Sequence, residues 1–269
     1  MKKSEIMINS FIDNTGYNPI ELGKTIEKII LKEDHGIWLR KYYRFRGGKW
    51  YGGIATADCI GCNLRCKFCW AWRQRDYPER FGNFYSPEQV ASKLIRIANE
   101  KSYKNIRISG GEPTLGFEHL IQVLENLKNY DMTFILETNG IYFGYYNELS
   151  PELSNFENVH VRVSIKGCTP EDFHSITGAK KEFFQVQINA LKNLIDSNVR
   201  AHPAVMESFS EEESCKDLRE KLGDIDSSLY ENYEEEFVFL YPHVVEILRK
   251  NKIWPRKAFY PNSIPEKYI

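Results

Sequence analysis

From residue 54 onward the chain alternates short runs of apolar and β-branched residues with longer stretches in which apolar positions recur every three or four residues. The short runs predict strands at 54–58 (IATAD), 105–109 (NIRIS), 132–138 (MTFILET), 159–165 (VHVRVSI) and 199–206 (VRAHPAVM), with 236–240 (EFVFL) as a weaker sixth. The longer stretches predict helices in PEQVASKLIRIANEK, which starts behind a Ser86 cap and Pro87, in FEHLIQVLENLKNY and in FFQVQINALKNLIDS. Strand, helix and strand in repetition indicate parallel βαβ units and an α/β fold. About six such strands with right-handed crossovers build either an open doubly wound sheet or a partial barrel. In both, chemistry gathers at the C-terminal ends of the strands.

The chain before this alternation is polar and aromatic, with one helix expected from Ile20 to Glu33 and the basic, tyrosine-rich stretch RKYYRFRGGKWYGG behind it. We divide the chain into an N-terminal extension (1–48), a core (49–250) and a tail (251–269). Lys and Arg number 36 against 37 Asp and Glu, leaving a formal charge of -1. That balance supplies no general pull toward nucleic acid or a membrane surface. The opening MKKSEIMINSFIDN has no apolar run long enough for a signal peptide, and no later run reaches membrane-spanning length, so a cytoplasmic protein is expected. The acidic runs Glu211–Glu213 and Glu234–Glu236 read most simply as solvated faces or helix starts.

Cysteine usage changes the picture from generic to chemical. Four of the six cysteines fall within eleven residues, Cys59-Ile-Gly-Cys62-Asn-Leu-Arg-Cys66-Lys-Phe-Cys69, directly after the first strand. Such crowding suits a metal site rather than a disulfide framework. The last three, spaced CxxxCxxC, can bring three thiolates to one iron-sulfur cluster and leave one iron open to substrate. All four together, starting from the CxxC of Cys59 and Cys62, would instead suit structural zinc. A loop between strand and helix in a βαβ chain is a catalytic position, which favours the cluster and makes Cys59 a buried end of the strand.

With Phe68 just before the third cysteine, this loop resembles the signature of the radical S-adenosylmethionine (SAM) superfamily. The resemblance implies a partial (β/α)6 TIM-like barrel with an N-terminal extension, a 4Fe-4S cluster held by Cys62, Cys66 and Cys69, and SAM on the open iron with Phe68 against its adenine. It identifies Gly110, Gly111, Glu112 and Pro113 after the second strand as the GGEP motif that holds the methionine amino group of SAM. Glycines there also let backbone approach a ligand closely. The series Glu137-Thr138-Asn139-Gly140, then Ser164, Lys166, His174 and Gly178, is similar to the pyruvate formate-lyase activating branch, whose two aspartates are replaced here by Glu137 and Ser164. By that similarity Thr138, Asn139, Ser164 and Lys166 are SAM contacts, Lys166 through the carboxylate; the alternative for Lys166 is an exposed lysine after a strand.

His202, on the fifth strand, is a candidate for the SAM ribose or the substrate if it points inward, and otherwise a satisfied core residue. Cys168 reads as a small buried hydrophobe near the site, and Cys215 has no assigned role. Tryptophans and arginines interleave in Trp70–Arg80 (WAWRQRDYPER), which suits either a nucleotide, nucleic acid or protein tail, or aromatic packing on the barrel rim. The branch resemblance implies an activase acting on a protein glycine, with flavodoxin or ferredoxin as electron donor. The competing readings are radical modification of a small nucleotide-like metabolite or RNA, and a noncatalytic zinc module. A protein glycine needs a barrel open along its side, whereas a small molecule needs a chamber closed by the N-terminal extension and the tail after residue 240.

Overall fold

The computed structural model describes residues 12–13 and 15–268. The beginning of the expected N-terminal extension, with most of the segment tested for a signal peptide, and the last residue of the tail lie outside the described residues. Six parallel strands pair neighbour to neighbour in chain order: β1 (Ile54–Cys59), β2 (Asn105–Ser109), β3 (Thr133–Thr138), β4 (Val159–Lys166), β5 (Ala201–Met206) and β6 (Glu234–Glu236). A strand order without reversal is that of a barrel wall and not of a doubly wound sheet. The fold is therefore the partial (β/α)6 barrel.

Seven helices of eight residues or more accompany the strands among the described residues: α1 (Pro19–Ile30), α2 (Pro87–Lys101), α3 (Phe117–Leu127), α4 (Pro170–Thr177), α5 (Phe183–Asp196), α6 (Glu212–Ile225) and α7 (Pro242–Lys250). α2 begins on a reciprocal Ser86–Gln89 capping box with Pro87 at its first position, and α6 begins in the acidic run at Glu212. Leu94, Leu120 and Leu191 from the helices and Ile106, Leu136 and Val163 from the strands share one buried core. The first five strands thus turn apolar alternate residues to the helices. The intervening residues, among them Arg107, Glu137, His160, Arg162, His202 and Glu234, line an interior chamber.

Two elements depart from expectation. The first helix ends at Ile30 and not Glu33, because Leu31–Asp34 pairs antiparallel with the long strand Ile37–Gly48. His35 and Gly36 turn the chain with φ of 51° and 81°, the left-handed pair that a tight two-residue hairpin demands. The long strand in turn pairs antiparallel with β1, so the basic, tyrosine-rich stretch extends the barrel sheet. The sixth strand is Glu234–Glu236, parallel to β5, while Val238–Phe239 pairs with Ala258–Phe259 beyond it.

The second departure has an electrostatic cause. Arg162 is buried on β4, and a buried guanidinium requires a paired carboxylate. Its Nε and Nη2 donate to Glu234 at 2.9 and 2.6 Å, and Nη2 also donates to Glu236 at 3.0 Å. The acidic run read as a solvated face is therefore an interior wall. Burial alone would raise the Glu234 and Glu236 carboxyls; for Glu234 Arg162 and His202 reverse this, and for Glu236 Lys166 and Arg162 do so, leaving both below the ordinary carboxylate range.

Behind the hairpin, His119 on α3 is buried. Its Nδ1 lies 2.6 Å from the Trp38 carbonyl and its Nε2 3.0 Å from the Tyr42 hydroxyl. A neutral ring protonated on Nδ1 satisfies both, donating to the carbonyl and accepting from the hydroxyl. Burial lowers its pKa to about 4, and burial together with His202 and Arg200 lowers that of His160 to about 4. Unfolding frees both rings to bind protons below about 6.5, so their contribution is complete above that pH and is lost as pH falls toward 4. We expect the urea midpoint to drop across this window before any carboxylate contribution is lost, and His119→Gln to flatten the drop; an unchanged pH profile in that variant refutes the assignment. We also expect Arg162→Met to lower stability by on the order of 2 kcal/mol in urea titration, because it removes the main cation from two partly exposed carboxylates that keep His202, Ser164 and Lys166. An effect under about 0.5 kcal/mol would show that β6 is held by something else.

Candidate active site

The cysteine loop leaves β1 after Cys59, turns at Gly61 and returns as a short helix beginning at Trp72. Gly61 has φ of 85°, and a Cβ there would stand 2.7 Å from Ile26 of α1, so glycine is required on both counts. The loop is braced from several sides. The Tyr17 hydroxyl accepts from Arg65 N at 2.7 Å, Arg75 donates to the Cys66 carbonyl at 2.6 Å, and Lys67 N donates to the Ile176 carbonyl of α4 at 2.8 Å. Arg75 is buried and ion-paired with Asp76 at 2.8 Å.

Cys62, Cys66 and Cys69 carry free thiols and line one cavity of about 1500 Å³. Cys62 Sγ receives the Leu64 N–H at 3.4 Å and faces the Asn139 side-chain amide at 3.7 Å. Burial pushes the Cys62 thiol up, and it pushes the Cys66 thiol up to about 11 against the Lys166 ammonium, which favours the thiolate. Cys59 stands apart as the fully buried last residue of β1, 3.5 Å from Arg40 Nη2. Phe68 packs its ring 5.3 Å from that of Phe209.

The segment after the second strand meets this loop edge to edge. Glu112 N donates to the Gly61 carbonyl at 2.8 Å, and a Cβ on Gly111 would stand 2.2 Å from that same carbonyl. The glycine pair thus lets two loops close on each other, a requirement separate from any ligand. The Glu112 carboxylate is buried and accepts from Thr114 N and Oγ1 (3.1 and 2.8 Å), Thr138 Oγ1 (2.7 Å) and Asn139 N (2.7 Å). Burial raises its pKa against these four donors. Pro113 follows within the same turn. Asn139 also donates to Asn63 Oδ1 at 2.7 Å, joining the end of β3 to the cysteine loop.

Ser164 and Lys166 stand at the C-terminal end of β4 and face the chamber. Ser164 Oγ donates to Glu236 at 2.8 Å, and Lys166 Nζ contacts Ser164 Oγ and Glu236, the latter at 3.5 Å. Lys166 is therefore no exposed lysine, and the carboxylate absent at position 164 arrives from β6. Glu137 pairs with Arg107 at 2.5 Å; burial would raise its pKa, and Arg107 and Arg162 hold it low. His202 does point inward, but it sits four residues below the strand end, roughly 13 Å by strand rise. There its Nδ1 faces His160 Nε2 at 2.6 Å and its Nε2 faces Glu234 at 3.1 Å, forming a polar floor.

Two cysteine readings need correction. Cys168 is no lone hydrophobe and the unassigned Cys215 is its partner, since a disulfide joins them across 47 residues and ties the loop after β4 to α6. Their separation hides the pairing from the sequence. The Trp70–Arg80 segment divides in two: Trp72 is buried with its indole donating to the His243 carbonyl at 3.2 Å, whereas Trp70 is exposed at the cavity rim. Sequence reasoning also missed Arg107, His160, Arg162, Glu234 and Glu236, although charged residues alternating with valine or isoleucine in NIRIS and VHVRVSIK are the signal of a polar interior face. No helix among the described residues is long and apolar enough to cross a membrane.

A family model described as the Radical SAM superfamily matches residues 59–213, more than half of the chain. The chain is 32% identical over 117 residues to the probable GTP 3',8-cyclase of Thermococcus kodakarensis, covering 44% of this chain and 36% of that protein. It is 28% identical over 171 residues to the sporulation killing factor maturation protein SkfB of Bacillus subtilis, covering 63% and 39% respectively. The chain therefore spans less than half the length of these curated relatives. Among solved structures, a spore photoproduct lyase variant with bound AdoMet and dinucleoside spore photoproduct aligns with a TM-score of 0.57 at 11% identity, over 80% of this chain and 65% of that one, a likeness of fold. With a matched region that begins at the cysteine loop and runs through β5, the chain belongs to the radical SAM superfamily, enzymes that work with a 4Fe-4S cluster and SAM.

Proposed function

We propose that this chain performs radical chemistry on a small nucleotide-like metabolite. The observation that carries the reading is a ring contact that bridges the barrel's side. Trp50, in the turn before β1, stacks on Phe239, just after β6, with ring centroids 5.7 Å apart and planes at 15°. The chamber is walled on one side by the N-terminal hairpin and on the other by residues 237–244 and Tyr268, the arrangement expected for a small substrate. This favours a small molecule over the protein glycine of an activase reaction. The similarity to GTP 3',8-cyclases points the same way, while the whole reaction of those longer proteins is not carried over.

The residue types suit the cofactors that the family uses, although among the described residues no three His, Cys, Asp or Glu converge on a single metal ion. Three free thiols face one cavity, two N–H donors already aim at the Cys62 sulfur, and hydrogen bonds of that kind accompany cluster thiolates. Cys62, Cys66 and Cys69 would hold the cluster. Phe68, Gly110, Gly111, Glu112, Pro113, Thr138, Asn139, Ser164 and Lys166 would flank SAM. A bound cluster, reduced by flavodoxin or ferredoxin, would supply the electron for cleaving SAM to methionine and a 5'-deoxyadenosyl radical that would take a substrate hydrogen. In this reading Glu112 keeps the loops after β2 and β3 in register, and the polar floor of His160, His202 and Glu234 orients the substrate. The walls exclude water from the radical.

We expect Cys66→Ala to abolish iron incorporation and SAM cleavage in anaerobically prepared protein, and Cys59→Ala to preserve both. Loss of the cluster in the Cys59 variant would restore a four-cysteine site. We further expect nucleoside triphosphates, added with SAM and dithionite, to raise 5'-deoxyadenosine formation above the substrate-free rate. Stimulation by a glycine-loop peptide and by no nucleotide would return the activase reading to first place.

A further inference from the structure

Inside the chamber, the cations of β2 and β4 are matched by carboxylates. Arg107 faces Glu137, and Arg162 and Lys166 share Glu234 and Glu236. At Asp58 two cations share one carboxylate: Arg44 Nε donates to Oδ2 at 2.6 Å, and Arg46 donates through Nε to Oδ2 at 2.8 Å and through Nη2 to Oδ1 at 3.2 Å. The Asp58 side chain is 0% exposed, whereas Arg44 and Arg46 are 45% and 25% exposed. Both terminal nitrogens of Arg44 and Nη1 of Arg46 make no hydrogen bond among the described residues.

The carboxylate therefore works as a brace that fixes two guanidinium groups by their inner edges and leaves their outer N–H groups toward the chamber. The Arg44 guanidinium is further held over the rings of Tyr43 and Trp70, at 5.5 and 5.8 Å. Asp58 lies opposite Ser109 in the sheet, one residue before the GGEP turn, so this positive spot sits near the strand ends.

We propose that Arg44 and Arg46, braced by Asp58, form the subsite for a phosphate group of the substrate. The inference rests on the small-nucleotide reading for its substrate, but the phosphate chemistry stands on the arginine pair alone. Planar, braced guanidinium groups with free donors and one uncompensated charge match a phosphate in donor type and sign. A neutral nucleoside would gain nothing there.

The test is calorimetric titration of inorganic pyrophosphate into the cluster-loaded full chain, with citrate and SAM titrated separately. Pyrophosphate is expected to bind, with affinity falling as salt rises, and Arg44→Gln and Arg46→Gln should each weaken it by about tenfold while SAM affinity stays within about twofold. Each variant leaves Asp58 one arginine partner, so the fold is retained. Pyrophosphate affinity unchanged in both variants overturns the subsite, as does a loss that falls on SAM, and citrate binding more tightly than pyrophosphate overturns the phosphate assignment. Pyrophosphate bound at the arginines without nucleotide-stimulated SAM cleavage upholds the subsite and removes the nucleotide reading.

Discussion

The arrangement of the site depends on one buried carboxylate. Glu112 receives four donors from three residues, and those residues belong to the turn after β2 and the end of β3. Its backbone reaches a third segment through the Gly61 carbonyl. A carboxylate removed from water is costly unless its oxygens are satisfied, so the three segments have one low-energy mutual arrangement and many poor ones. Everything that faces the cysteine loop, Asn139 included, inherits its position from that arrangement.

Below this hub the chamber departs from the usual economy of a barrel. A closed eight-stranded barrel fills its interior with branched apolar side chains. Here the strands turn Arg, Glu, His, Ser and Lys inward instead, and these polar groups are paired across strands: Arg107 with Glu137 and Arg162 with Glu234 as ion pairs, His160 with His202 by a hydrogen bond. Cross-strand pairing keeps the desolvation cost tolerable and leaves an open chamber in the middle of the protein. The outer face of the same strands carries ordinary core packing, so stability and chemistry are divided between the two faces of one sheet.

How far the sequence disclosed this follows from the range of each interaction. Periodicity of two and of three to four is local, and it located five strands and three helices to within a few residues. The CxxxCxxC spacing is local as well, and it marks its loop directly. The sixth strand was drawn over the apolar run 236–240 because three glutamates favour neither strand nor burial, and the Arg162 that recruits them lies 72 residues away. The same distance problem concealed the Cys168–Cys215 bond and the carboxylate that Glu236 lends to Ser164. His35 and Gly36 mark the hairpin turn, but the helical period of the preceding residues runs on to Glu33, over the hairpin's first strand.

The acidic sixth strand also bears on how the molecule behaves among its own copies. An unpaired sheet edge offers backbone N–H and carbonyl groups to any extended chain that reaches it. β6 closes the parallel sheet with only three residues, all glutamate, and two of them point their charge back into the protein. A strand so short and so charged is a poor template for another strand. The residues that complete the chamber wall thereby also blunt the edge at which this protein would otherwise aggregate.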